Sequence, residues 1–452
     1  MSALANFQAQ NRPFTKTEIR QNFPGEPIKV AHMKKFALDL SPLKKYRELR
    51  LLFTSGLITR LGSMVTYVAL PFQIKDLTNS YVAVGLMGAA QIIPLIVFSL
   101  YGGVLADSLD RKKMIFITEF GSLALSTLLL CNSLLPNPHL ILLYFIAAGF
   151  TSLDGLQTPS LSAIVPRIVD HDDMPSVTAL MGIRWQVGAV VAPAIGGIMI
   201  STMGVKSAYI MDVITYVLSL ILIFRMKPVP PSEKATPASL SSLVEGVKYA
   251  VARKDLMGTY VIDFAAMFFA MPNALFPFWA DHIHARWALG LFYSAGILGA
   301  IIVTLTSGWM KHYPFHGRAI TYAALGWAAA IALSAATNNL WVVLFFLALA
   351  GASDQISAMM RGNIWNQSIA DEYRGRLAGI ELLSYAVGPM SGQLRAGTMA
   401  AWTTLRISVA GGGLMCLGFV TLTAKLMPDF LKYDVRTNKY ALEKRNSRSE
   451  GE

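Results

Sequence analysis

The chain has 452 residues, of which 54% are hydrophobic and only 15% charged, with a formal net charge of +12. A soluble domain carries about 25% charged residues, so this composition excludes a soluble enzyme, a disordered chain and a nucleic-acid-binding module. Two cysteines, Cys131 and Cys416, cannot build a disulfide framework, and both lie in apolar runs where they read as buried, inert thiols.

Residues 1–50 are polar and hold no apolar core of signal-peptide length. They contain ten Lys/Arg against four acids, and read as a basic cytoplasmic arm. Long apolar stretches then recur at 51–75, 80–106, 114–135, 138–166, 174–202, 206–226, 256–280, 286–310, 318–337, 340–366, 374–401 and 405–427. A spanning helix needs about 20 mostly apolar residues, so each stretch is expected to cross a membrane as one helix. Barrel strands would instead alternate over about 10 residues. The stretch 227–255 is the longest polar interruption. It opens with Lys227-Pro228-Val229-Pro230-Pro231 and continues with Leu240, Leu243, Val244, Val247 and Val251 at helical spacing. That pattern predicts an amphipathic helix on the membrane surface. It separates a six-helix block at 51–226 from a second at 256–428, and residues 429–452 follow as a cytoplasmic tail.

Charge placement sets the expected orientation. With the N-terminus inside, the short inner loops and the middle segment hold 14 Lys/Arg, and the outer loops hold four: Lys75, Lys206, Arg286 and Arg406. The positive-inside rule then places both termini in the cytoplasm. Topology accounts for the net charge and leaves no need for nucleic acid.

The two blocks echo one another. Span 4 has Ala148-Gly149 and then Asp154, while span 10 has Ala350-Gly351 and then Asp354. Parallel six-helix repeats are a transporter architecture, with a site between halves near the midplane.

Residues 102–113 read Gly-Gly-Val-Leu-Ala-Asp-Ser-Leu-Asp-Arg-Lys-Lys. The spacing of Gly103, Asp107, Arg111 and Lys112 resembles the cytoplasmic signature between helices 2 and 3 of the major facilitator superfamily. The sequence departs from it at Ser108, where a basic residue is usual, and at Asp110, where glycine is usual. The form with Asp110 is similar to the siderophore and macrolide efflux subgroup. The Arg374-Gly375-Arg376 opening of span 11 and the middle segment with Gly246, Tyr249 and Arg253 resemble the same subgroup. Gly188, Pro193, Gly196 and Gly197 resemble the family's antiporter motif in helix 5, departing at Ala192. The resemblance covers roughly 51–428. It implies an all-α membrane protein of twelve helices in two halves, working by alternating access. It also implies that Asp107 docks at the N-terminus of helix 11, in a cytoplasmic gate with Asp110, Arg111, Lys112, Arg361 and Glu381. The equivalent loop of the second half carries His312 at the aspartate position.

Ionisable residues within spans are costly in lipid and therefore functional candidates. Arg60, Asp154, Asp263 and Asp354 fall on spans 1, 4, 7 and 10, the helices that line the central cavity in the resembled fold. With Gln157 and Arg184 they form the candidate substrate and proton cavity, in which Asp154, Asp263 or Asp354 carries a coupling proton. Static salt bridges, such as Arg184 with Asp154, are the alternative. Tyr67, Tyr260, Phe264, Trp365 and Tyr385 are candidates to line the cavity with aromatic surface.

No phosphate-binding loop, HExxH pattern or Cys/His cluster is present. The expectation is thus a monomeric secondary transporter with no cofactor, no metal and no enzymatic activity, whose partners are a small-molecule substrate, protons and the bilayer. The resemblance favours siderophore export. Macrolide or multidrug efflux, import, and a non-transporting sensor are the alternatives.

Overall fold

The computed structural model describes residues 39–230, 248–369 and 371–449. Twelve long helices dominate. They are α1 (Arg47–Thr78), α2 (Tyr81–Ser108), α3 (Arg111–Leu134), α4 (Leu140–Ile168), α5 (Met174–Met203) and α6 (Val205–Phe224), then α7 (Lys254–Ala270), α8 (Leu289–Leu305), α9 (His316–Ser334), α10 (Leu340–Ser368), α11 (Asp371–Trp402) and α12 (Leu405–Leu426). No strand occurs among the described residues. Ten of these segments are long and apolar enough to cross a membrane; the other two are α9 and α11. Helix α9 holds seven alanines, which lower its hydropathy but let neighbours come close. Gly413 of α12 lies against the Ala328 carbonyl of α9. We call the face where α1 begins proximal and the opposite face distal.

Helix starts are encoded locally. The side chains of Ser80, Asp110, Asn339 and Thr404 accept backbone N–H groups at the first turns of α2, α3, α10 and α12, which satisfies donors that a helix leaves open. Pro71, Pro94, Pro159, Pro166, Pro193 and Pro389 sit inside helices, as membrane helices tolerate.

Packing repeats with an offset of six. In the first half α1 packs on α5 and α6, α2 on α4, and α3 on α4 and α6. In the second, α7 packs on α11 and α12, α8 on α10, and α9 on α10 and α12. The halves meet where α2 packs on α11 and α5 on α8.

Two expectations need revision, and both described terminal segments pack onto the helices. The seventh span does not run unbroken to 280: α7 stops at Ala270, a 3-10 turn covers Asn273–Leu275, and a short helix spans Phe276–His282. Pro272 lacks an N–H and cannot continue the ladder. Cys131 is exposed, unlike Cys416, because it shares an outward face of α3 with Phe120, Leu123 and Leu128. The segment after α12 packs onto the second half: Phe430 and Tyr433 are buried, and Lys444 of the last helix (Lys439–Ser449) donates to the Ile369 carbonyl. At the other end, Ser41–Lys45 forms a short helix tied to the α4–α5 loop by Lys45 and Tyr46, which donate to Asp170 and Asp173. The rest of the basic arm, to residue 38, and most of the expected amphipathic helix, 231–247, lie outside the described residues. Residues 248–252 are helical.

Candidate functional site

The predicted charged residues gather into two groups, one in each half. In the first half, Arg60 of α1 and Asp154 of α4 act on each other electrostatically, with no ion pair between them among the described residues. Asp154 is exposed, and so are Thr158 and Ser162 one and two turns on, while Thr151, Gly155, Ser160 and Ile164 are buried. Helix α4 therefore has a polar open face and a packed face. A carboxylate in a spanning helix faces an interior space rather than lipid. The Arg60 guanidinium lies over the Trp185 ring, 5.3 Å from its centroid, and its Nε has no hydrogen-bond partner among the described residues.

Two glycines make room for the arginines. A Cβ at Gly188 of α5 would overlap the Arg60 side chain, and a Cβ at Gly56 of α1 would overlap the Arg184 guanidinium. Each arginine thus crosses a glycine of the other's helix. Arg184 donates to the Leu52 carbonyl at 3.3 Å; the alternative of a salt bridge from Arg184 to Asp154 is not formed. Gln157 donates to Glu119 at 3.3 Å, and Thr59 donates to the same carboxylate at 3.1 Å. Glu119 was missing from the expected cavity set. It lies eight residues into α3 and is 5% exposed.

In the second half, Arg361 of α10 pairs with Asp263 of α7, and both are buried. Arg361 also reaches Ser357 at 3.3 Å. Asp354, two turns before Arg361, acts electrostatically on both members of the pair. Arg361 was expected in the proximal gate; its observed partner is a cavity candidate. The aromatic candidates divide. Tyr260 and Trp365 stack on each other at 5.5 Å and Trp365 donates to Thr259, whereas Tyr67 and Phe264 stay 38% and 41% exposed.

The signature at the α2–α3 turn is held from behind. Asp110 caps α3, Lys112 donates to the Phe224 and Met226 carbonyls at the end of α6, and the Arg111 N–H bonds Val229. A cation at a helix C-terminus is favourable. The side chains of Asp107, Glu381 and Tyr385, and the surroundings of Gly103, lie outside the described residues. The α5 motif joins three helices. Gly196 packs on Val65 of α1, Gly197 on Gly290 of α8, and a Cβ at Gly290 would strike the Pro193 carbonyl.

Contacts between the halves concentrate at the distal face. Lys75 pairs with Asp281, Asn273 donates to Tyr67 at 3.4 Å, and Tyr81 packs on Phe278 at 4.2 Å. Gly85, Gly88 and Gly397 let the distal parts of α2 and α11 touch backbone to backbone. Among the described residues, the ion pair and the ring contacts across the halves lie in this distal part, and Ser294 of α8 donates to the Val190 carbonyl of α5.

The family model for transmembrane secretion effectors, a branch of the major facilitator superfamily, matches residues 37–443. The chain belongs to that family. Among curated relatives it is 28% identical over 394 residues to the enterobactin exporter EntS of Shigella boydii serotype 18 and to that of Escherichia coli O81; each match covers 85% of this chain and 93% of the relative. Among solved structures, a POT family transporter in complex with 5-aminolevulinic acid matches with a TM-score of 0.66 at 14% identity, covering 85% of this chain and 97% of that one. A bacterial homologue of the iron transporter ferroportin in an inward-facing state matches with a TM-score of 0.61 at 13% identity, covering 85% and 98%. At such identities these structures speak for the fold alone. The family and fold make this chain a multi-pass membrane transporter.

Proposed function

We propose that this protein is a monomeric, proton-driven secondary transporter that exports a siderophore across the bacterial cytoplasmic membrane. The observation that carries the reading is the depth of the charged groups behind a distal clasp. The halves are clasped at the distal face, while Arg60, Asp154, Asp354 and the Asp263–Arg361 pair lie deeper, on helices 1, 4, 7 and 10. The positive-inside count makes the proximal face cytoplasmic. In that orientation export requires the distal clasp to open. The curated relatives are enterobactin exporters by name, which supports a siderophore as cargo. A polar, partly aromatic, anionic compound suits the surroundings of Arg60, Trp185 and Tyr67.

The supporting test uses everted membrane vesicles, whose interior corresponds to the outside of the cell. With a pH gradient imposed, enterobactin should accumulate inside vesicles that hold this protein and not in vesicles that lack it. Equal accumulation in both removes the export reading for that cargo.

A further inference from the structure

Helix α3 contains one acid, Glu119, and it is buried. Its hydrogen-bond donors are the Thr59 hydroxyl of α1 and the Gln157 amide of α4. The Ser219 hydroxyl of α6 faces it as well and has no other partner among the described residues. All three are neutral. A hydroxyl turns from donor to acceptor by rotation, and an amide exchanges NH₂ for C=O by a flip. This pocket therefore satisfies the carboxyl whether it is ionised or protonated. Asp263 is placed differently. Arg361 only donates and always carries its charge, so a proton on Asp263 would leave a buried cation unpaired.

Other charged or titratable groups face Glu119 from the helices packed around it. Arg184 of α5, Asp154 of α4 and the Tyr216 phenol of α6 lie near enough to act on it electrostatically. None of these is an ion-pair partner of Glu119 among the described residues. Asp154 in turn acts on Arg60 and is exposed on the open face of α4.

We propose that Glu119 is the group in the first half that takes up and releases the transported proton, and that Gln157 reports its state to the substrate space. This rests on the proton-driven reading above. In the proximally open form, Glu119 gives its proton to cytoplasmic water and its carboxylate accepts from the Gln157 NH₂. In the distally open form it takes a proton from outside water. The new O–H then donates to the amide oxygen, and the flipped NH₂ turns toward the face that carries Asp154. One proton enters for each such cycle, and a hydrogen-bond acceptor beside the substrate is replaced by a donor.

Two measurements on the full-length protein test this. Infrared difference spectra of purified protein, titrated from about pH 5 to about pH 9, should show a carboxylic-acid C=O band that is lost as pH rises. Glu119→Gln should remove that band and Asp354→Asn should leave it; a band that persists in Glu119→Gln overturns the proposal. In proteoliposomes with enterobactin as probe, a pH gradient should drive flux by the wild type. Glu119→Gln should run at the rate seen without a gradient, and Glu119→Asp, which keeps a titratable group, should retain a response. Equal driving of wild type and Glu119→Gln overturns the role of Glu119 alone. A wild type that ignores the gradient overturns the proton-driven reading itself, and this proposal with it.

Discussion

Lys75, at the distal end of α1, is ion-paired with Asp281, which lies beyond the break in the seventh span on the other half of the protein. Lys75 is almost wholly buried, and its ammonium also reaches Asp76 at 3.1 Å and the Phe72 ring at 5.6 Å. Asp281 is held on its own side by Arg286 at 2.6 Å. The break at Pro272 places Asp281 there, because the short helix after it is free to turn toward α1. Any form open at the distal face must part this pair, so it behaves as a latch.

Lys75→Met should weaken the latch. Removing one partner of a buried charge pair costs about 2–5 kcal/mol. Arg286 still neutralises Asp281, so the lower figure applies, and about 2 kcal/mol shifts a two-state population roughly thirtyfold. The check is labelling of Asn273→Cys by a membrane-impermeant maleimide added from the distal side. Labelling should be markedly faster when Lys75→Met is present; an unchanged rate means that the pair does not hold the closed form.

Gly290→Ala should oppose closure by a different route, since its Cβ meets the Pro193 carbonyl where α5 and α8 touch. Overpacking of this kind costs about 1–3 kcal/mol. Gly362 of α10 has open space around it, so Gly362→Ala should be neutral or gain up to about 1 kcal/mol in helix propensity. Thermal unfolding in detergent should therefore separate the two, with Gly290→Ala melting lower than the wild type.

Asp263 and Arg361 should show strong coupling in a double-mutant cycle. Asp263→Asn alone leaves a buried guanidinium without its counter-charge, at a cost of about 3–5 kcal/mol. Adding Arg361→Met should recover much of that stability. If the two losses simply add, the pair contributes little to the packing of α7 against α10.

Tyr46 and Lys45 hold the Asp170 carboxyl below its ordinary value, and Asp173 and Asp170 hold the Lys45 ammonium above its own. The lowered carboxyl stabilises the folded form above an ordinary pKa of about 3.9 and loses that effect as pH falls through its depressed value. The raised ammonium stabilises below about 10.4 and loses that effect as pH rises through its elevated value. Between these limits the tie is constant. A spin label at Lys44→Cys should keep the same mobility from about pH 5 to about pH 9 and loosen only below about pH 4. Mobility that changes near neutral pH would show that other groups control this tie.

Much of the fold was legible in the sequence because each span must bury its backbone polarity within one helix. Run length and hydropathy therefore locate helices with little help from tertiary context. The break after Ala270 was half visible, as Met271-Pro272 inside an apolar run. The site was legible by type rather than by partner. Asp154, Asp263 and Asp354 stand out as acids in apolar helices, but pairing depends on rotation about the helix axis and on which helices touch. Arg361 lies close to the proximal end in sequence, yet its long side chain reaches back along α10 to Asp263. Glu119 shows the same: depth along a helix says little about burial when α1, α4 and α6 close over it. The signal that could have found it is the pattern of Glu119, Ser122 and Ser126 on one face of α3, all of them buried. Lys75 was counted only as one of the few outer cations, and nothing near it in sequence points to Asp281.

The most direct test of the account is the siderophore content of cells and medium, with and without this gene, under iron limitation. Deletion should raise the intracellular pool and deplete the medium, and restoring the wild-type gene, though not Asp154→Asn, should reverse both changes. Unchanged pools on deletion, in a host whose siderophore has no other exporter, would contradict the account.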